Sequence, residues 1–334
     1  MLPDHLRSFR HRSAWLAVGG AVLFLVLGLA GGCGDDDEES GPTEFEFTLT
    51  GLEPLPVGHW YEAWARFPDQ SAAAGGLSVE HGDEIPVSLG AFQVNEEGGL
   101  ESLEGGPVTF ELPEGHDPNP INVVITVRDT AEPDTTIGPI LIGGDVLGDD
   151  NQGHATLTTD YHDAIVGDIR SATGSCIMAT PSDGDNTNET QGIWFATPAG
   201  LPALTLPVLG EGWHYDAYVI LGTKEISIGH FATADVEDSD GKGPEAGPQP
   251  GFTTPGSDFL TSAPNFSLGG VSVLIALLPE HGDDHEGLAQ APHGAMFPYH
   301  VLEAEIPIGT LPRTPIALTA ATEPLPAGSV TFQR

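Results

Sequence analysis

The residues best suited to chemistry in this chain are histidines and carboxylates set close together. His281, Asp283, Asp284 and His285 fall in one segment (His281-Gly-Asp283-Asp284-His285-Glu286) just after an apolar run, and His293 and His300 follow. Neutral imidazole with carboxylate suits divalent transition metals, and a loop at a strand end can converge such ligands. Asp235, Glu237, Asp238 and Asp240 before Gly241, and Asp183 and Asp185 beside Gly184, offer clustered oxygen ligands of the kind calcium takes. Neither is an EF-hand: placing Asp238, Asp240 and Gly241 at loop positions three, five and six puts Val236 at one and Gly247 at twelve. Each segment also reads as a solvated loop of an acidic protein, so calcium, a divalent transition metal and no cofactor at all stand side by side. Cys176, in the apolar run Cys176-Ile-Met-Ala, reads as core rather than nucleophile. The sequence has no Gly-x-Ser-x-Gly elbow, no His-Glu-x-x-His and no phosphate-cradling glycine loop, and carboxylates are too abundant for any pair to stand out. The expectation is a protein that is not an enzyme.

Cys33 carries a different chemistry. Arg7, Arg10 and Arg12 precede an uncharged run from Trp15 to Leu29, which is the layout of an export signal. The run is shorter than the roughly 18 to 20 apolar residues of a spanning helix. It ends in Leu29-Ala30-Gly31-Gly32-Cys33, which resembles a bacterial lipobox, with Ala30 where such motifs usually carry leucine. That resemblance implies a signal peptide over 1–32 and lipidation of Cys33; the alternative is an uncleaved N-terminal anchor helix. Both place the remainder outside the cytoplasm, since positive flanks stay inside. Residues 33–42, with Asp35-Asp36-Asp37-Glu38-Glu39, form an acidic tether that stays solvated. The run also resembles the acidic surface-export signals of some Gram-negative lipoproteins, which favours the outer membrane or cell surface over the periplasmic face of the inner membrane.

The chain has 49 Asp+Glu against 10 Lys+Arg, a formal net charge of -39. Nucleic acid is excluded as a partner, because phosphate recognition needs a basic footprint, and anionic headgroups repel such a surface. The membrane is instead reached through the N-terminal lipid. An acid-rich, lysine-poor exterior fits a saline or cation-rich setting, where screening weakens self-repulsion. With Cys33 acylated, Cys176 has no partner and the fold rests on its core.

The elements that position these residues are strands. Gly 44 and Pro 29 in 334 residues argue against helical architecture. Phe45-Glu-Phe-Thr-Leu49 and Val108-Thr-Phe-Glu-Leu112 alternate as half-buried strands, while Asn122 to Val127 and Val271 to Leu277 read as central strands. Asp160 to Arg170 alone suggests a short helix, with Tyr161, Ile165 and Ile169 four apart. The chain also repeats itself. Gly58-His-Trp-Tyr61-Glu-Ala-Trp64 recurs as Gly212-Trp-His-Tyr215-Asp-Ala-Tyr218, and Ser88-Leu-Gly-Ala-Phe92 as Ser227-Ile-Gly-His-Phe231. A duplicated β-domain is the economical reading. The expected fold is all-β: two tandem β-sandwich (Ig-like) domains over 43–160 and 172–334, joined by a short helical connection at 161–171, the second enlarged by an acidic loop at 235–251. The aromatic strands also offer a sugar-stacking face, but alternation sends half of these rings into the core.

These motifs resemble the extracytoplasmic domain of anti-sigma-K-type factors. There an aromatic strand like Tyr61-Glu-Ala-Trp64 precedes a Gly-x-Phe strand, then an ending like Val124-Ile-Thr-Val127 with Ile137-Gly-Pro-Ile-Leu-Ile-Gly143. The resemblance covers about half of each repeat. Cys176-Ile-Met-Ala-Thr and Gln191-Gly-Ile-Trp-Phe195 resemble segments of bacterial lipoproteins with the same domain. The resemblance implies a sensory or structural half only. Residues Met1 to Ala14 alone precede the apolar run, too few for a sigma-binding domain, so no sigma factor is expected as partner. The functional expectation is a lipid-anchored, non-enzymatic binding or structural module of the cell envelope. The alternative is a metal- or ligand-binding sensor component that signals to an envelope protein or membrane regulator.

Overall fold

Short runs of β-branched and aromatic residues, cut by glycine and proline, can bury themselves only by pairing side by side. The computed structural model describes residues 43–68, 84–129, 137–149, 151–165, 168–187, 189–261, 265–279 and 296–333. In chain order the first half holds β1 (Thr43–Thr50), β2 (His59–Pro68), β3 (Glu84–Val94), β4 (Leu100–Ser102), β5 (Glu111–Leu112), β6 (Asn122–Asp129), β7 (Ile140–Asp145), β8 (Leu147–Gly148) and β9 (Gln152–Thr158). The second half holds β10 (Thr173–Met178), β11 (Gly192–Trp194), β12 (Leu204–Thr205), β13 (Trp213–Leu221), β14 (Lys224–Phe231), β15 (Gly256–Asp258), β16 (Val271–Pro279), β17 (His300–Ile306) and β18 (Ile316–Ala320), and β19 (Ala327–Gln333) comes last. One sheet runs β4-β3-β2-β6-β7-β9-β19-β1-β5 and the other β14-β13-β16-β17-β18-β10-β11-β15. The protein is all-β, with two sandwich-like antiparallel sheets. Of the expected strand over Val108 to Leu112 only Glu111–Leu112 pairs, with Phe110 and Leu112 still buried. Among the described residues no helix is long and apolar enough to cross a membrane.

The register shows the duplication residue by residue. Tyr61 on β2 faces Phe92 on β3 and Val127 on β6; Tyr215 on β13 faces Phe231 on β14 and Leu277 on β16. The strand beside each aromatic strand carries a bulge at the same place: Leu89 on β3 is the extra residue where β2 steps from Ala63 to Trp64, and Ile228 on β14 where β13 steps from Ala217 to Tyr218. Within each bulge stands a glycine at positive φ, Gly90 (143°) and Gly229 (130°), a conformation a side chain would strain. Each tyrosine hydroxyl donates to the carbonyl eight residues earlier, Tyr61 to Glu53 and Tyr215 to Pro207, both at 2.7 Å. Tyr61, Trp64, Tyr215 and Tyr218 are all buried, so these rings serve the interior rather than a sugar platform.

The halves differ where the chain ends. In the second sheet β18 pairs directly with β10. In the first, the corresponding strands β9 and β1 are held apart and β19 runs between them, antiparallel to both. The last strand therefore leaves the half that the repeat boundary at 172 assigns it to. Phe332 stacks on Phe45 with ring centroids 4.3 Å apart, and Gly153 leaves the space its ring occupies. Further bonds tie the halves: Trp213 Nε1 donates to the Ile140 carbonyl (2.9 Å), the Tyr61 and Tyr299 hydroxyls meet at 2.6 Å, and Arg170 holds the carbonyls of His300, Ala321 and Glu323. One hydrophobic core runs through both sheets, and Gly41–Arg334 is one compact unit.

Among the described residues of the connection at 161–171, residues 161–165 form turns and Ile169–Ser171 a single 3-10 turn, where a short helix was expected. Tyr161, Ile165 and Ile169 are all buried, as their spacing demands, but not on one helical face. Tyr161 enters a small cluster with Trp64, Val124 and Ile140, while Ile165 and Ile169 enter the main core. A spacing of four marks burial; it does not require one continuous turn of helix.

Candidate functional site

The acidic segments meet at one end of the second sheet. The loop between β10 and β11 carries Asp183 and Asp185, and the loop between β14 and β15 carries Asp235 to Asp240. Ser182 joins them: its backbone N–H and hydroxyl donate to Asp258 Oδ2 at 2.9 and 2.5 Å, while its own oxygens accept from the backbone N–H groups of Gly247 (2.7 Å) and Gln249 (2.9 Å). Asp258 lies on β15 with 0% exposure, and Trp194 Nε1 donates to its other oxygen at 2.8 Å. Burial pushes its carboxyl up, and the donors from Ser182 and Trp194 oppose the shift.

Asp238, 7% exposed, is turned inward. It accepts from the backbone N–H of Gly256 (2.7 Å) and of Asp240 (3.0 Å) and occupies the space that the absent Cβ of Gly229 leaves. Burial raises its pKa to about 8 against those two donors, and the charges of Asp240 and Asp216 add to the rise. The rest of the proposed calcium set stays outside: Asp235, Glu237 and Asp185 are exposed, Asp183 and Asp240 half-buried. Asp183 accepts from the Asp185 N–H, and Asp185 from the Thr187 N–H and hydroxyl, which holds the Asp185 carboxyl below its usual value. These are turn-forming bonds. The structure thus joins both loops through Ser182, Gly247 and Gln249, while Asp183, Asp185 and Asp238 accept from backbone N–H groups. Among the described residues no three His, Cys, Asp or Glu side chains are arranged to hold a metal ion.

Of the histidine set, His300 alone is described; His281, Asp283, Asp284, His285 and His293 lie outside the described residues, as does Cys33. His300 sits on β17 opposite Ala276, and burial lowers its pKa while Glu323 and Glu303 oppose the shift. Cys176 is fully buried and burial pushes its thiol up to about 12, so it stays protonated and inert.

The sheet register reveals a cluster that the linear sequence conceals. Asp216 on β13 faces His230 on β14 and Ala276 on β16, and Ala276 faces His300. His214, two residues before Asp216 and so on the same face, has its ring 6.0 Å from that of His230. In the first half the position of Asp216 is held by Glu62, which meets Arg128 at 2.8 Å and accepts from Ser88 at 2.5 Å. The position of Arg128 is taken by Leu278 in the second half, and Ser227 donates to Asp216 at 3.3 Å. One copy therefore pairs its sheet-face carboxylate with a guanidinium, and the other has histidines at neighbouring register positions. Aligning the two copies position by position was the signal that could have found this.

Between the β12–β13 and β14–β15 loops lies an apolar groove of ≈ 430 Å³. Leu204, Leu206, Val208, Leu209 and Trp213 line it, and Asp235 from the acidic loop stands at its rim. Val208 is exposed although strongly apolar. Apolar walls beside a carboxylate rim can take an apolar segment that carries a positive charge. The chain matches no protein-family model, no curated protein and no solved structure.

Proposed function

We propose that this protein is a lipid-anchored, extracytoplasmic binding or structural module of the bacterial cell envelope, without enzymatic activity of its own. The observation that carries the binding role is the groove of Leu206, Val208 and Trp213 with Asp235 at its rim, set on a body that β19 ties into one unit. The walls of the groove come from the β12–β13 and β14–β15 loops, with Leu204 on β12 and Trp213 on β13 at their base. The anchor rests on Arg7 to Cys33 and the acidic residues after it. The extracytoplasmic domain of anti-sigma-K-type factors remains the proposed relative, on the sequence motifs Tyr61-Glu-Ala-Trp64, Gly90-Ala-Phe92 and Ile137-Gly-Pro-Ile-Leu-Ile-Gly143.

Two experiments test this reading. Cys33→Ser abolishes lipid labelling and releases the protein or leaves it unprocessed; normal labelling of that variant would overturn the anchor. A photo-crosslinking residue at Val208 gives a discrete adduct in cells, lost when Leu206→Asp is added. An adduct pattern indifferent to Leu206→Asp argues against the groove. The second reading, a metal- or ligand-binding sensor component, rests on the His281 to His285 segment of the sequence. Metal analysis of the purified, dialysed protein decides it: less than one equivalent of divalent metal sinks the metal version.

A further inference from the structure

We propose that the slot between β1 and β9 accepts β19 of a second copy of this chain, so that two copies form a dimer by exchanging this strand reciprocally. Thr50 to Phe45 face Ala327 to Phe332 on one side, and Thr158 to Gln152 face Ala327 to Gln333 on the other. All of these ladder bonds join β19 to residues far away in sequence, in the other half of the chain. No ladder bond ties it to the second sheet, where the preceding strand β18 lies. The strand thus follows one half in sequence and fills the sheet of the other.

The slot is shaped for this sequence. Phe332 lies over Gly153 and stacks on Phe45. Gly328 passes so close to Leu49 and the Thr48 carbonyl that a Cβ there would come within 2.6 Å of each. Val330 and Phe332 alternate into the core while Ser329 and Gln333 face outward. A strand lacking the small residue at 328 or the ring at 332 does not fit, which points to β19 of another copy as the partner.

The connection permits exchange. Ala321 is held by its N–H on the Val301 carbonyl, and Arg170 clasps the carbonyls of Ala321 and Glu323. Beyond the clasp come Pro324, Leu325 and Pro326, two prolines that favour an extended chain and have no N–H to lose. An extended hinge serves as well for a neighbouring slot as for its own. In the exchanged pair every contact of β19 is identical to that in the monomer, so hinge geometry and protein concentration decide between them. Both ladders must open to free β19 from a folded chain, so partners are chosen during folding.

The test uses two versions of the full mature chain, both carrying Cys33→Ser, one with Thr48→Cys and the other with Ser329→Cys. Thr48 and Ser329 are exposed and directly opposed in the register, and opposed antiparallel residues lie about 4.5 to 5.5 Å apart, within disulfide reach. Neither version can close this bridge alone. Denatured together and refolded at high concentration, the two form a disulfide-linked heterodimer. Its yield falls several-fold when refolding is done at hundredfold dilution, and it is absent when the chains are folded separately and then mixed. Arg170→Ala, which loosens the clasp, raises the yield. Absence of the heterodimer after concentrated co-refolding overturns the proposal, as does equal yield from separately folded chains. A chain carrying both Thr48→Cys and Ser329→Cys closes the bridge internally in the monomer; failure to do so also overturns it, because β19 would then not occupy the slot.

Discussion

Replacing Phe332 by alanine tests how far the terminal strand holds the whole molecule together. Its ring is buried between β1 and β9, stacked on Phe45 at 4.3 Å and 22°. Removing it from the interior forfeits about 2 to 3 kcal/mol of transfer free energy. The opposing residue is Gly153, which has no side chain to move into the void. The cavity term therefore stays nearly whole, and the total comes to about 3 to 5 kcal/mol. That is a large share of the roughly 5 to 15 kcal/mol that stabilises an ordinary domain. Because one core runs through both sheets, the loss appears in a single transition rather than in the first half alone. The assay is equilibrium urea unfolding followed by tryptophan fluorescence, with Trp60 and Trp64 in the first half and Trp194 and Trp213 in the second, and by circular dichroism. Gln333→Ala, on the exposed end of the same strand, is the control and changes stability by less than about 0.5 kcal/mol. A loss below about 1 kcal/mol for Phe332→Ala, or a split transition with one half unchanged, would refute the claim that β19 couples the halves.

Arg128→Leu copies what stands at Leu278 and strands the carboxylate of Glu62, so it costs about 3 to 5 kcal/mol in thermal or urea unfolding, whereas Glu62→Gln with Arg128→Leu recovers most of that. Equal losses in the single and double variants would show that the pair's charge is irrelevant. Asp238 has a folded pKa of about 8, above the ordinary 3.8, so the folded protein holds its proton more tightly than the unfolded chain. Its contribution is then complete below about pH 4 and lost as pH rises to about 8. Asp238→Asn removes that slope: the variant's Tm minus that of the wild type grows between these limits and levels off above, and a constant difference would contradict the burial argument. The net charge of -39 makes sodium chloride raise the Tm by screening. Since Asp238 is bound to backbone N–H groups, calcium at matched ionic strength adds nothing further; an extra calcium shift that Asp183→Asn with Asp185→Asn abolishes would restore a calcium site there.

Strand formation and the duplication were determined locally. Alternation in Phe45 to Leu49, the apolar runs of β6 and β16 and the matching Tyr61/Phe92 and Tyr215/Phe231 motifs are written in neighbouring residues, because a strand's period and its bulge glycine are local properties. Burial at Tyr161, Ile165 and Ile169 was equally legible, but not the backbone that achieves it, since a turn feeding two separate cores shows the same spacing as a helix. The rest was decided in three dimensions. Val330 and Phe332 announce a strand, yet nothing near them says that its partners are β1 and β9. That pairing depends on Gly153 and Phe45 being brought to Phe332 across the whole chain. Likewise Asp238 reads as a surface ligand until the Gly256 N–H and the bare face of Gly229 arrive beside it. His214, Asp216, His230 and His300 become neighbours only through the register of β13, β14, β16 and β17. Side-chain type and local period belong to the sequence; which distant groups satisfy a buried charge or fill a gap is settled only when the core closes, because that choice minimises unpaired polar groups and voids over the entire fold.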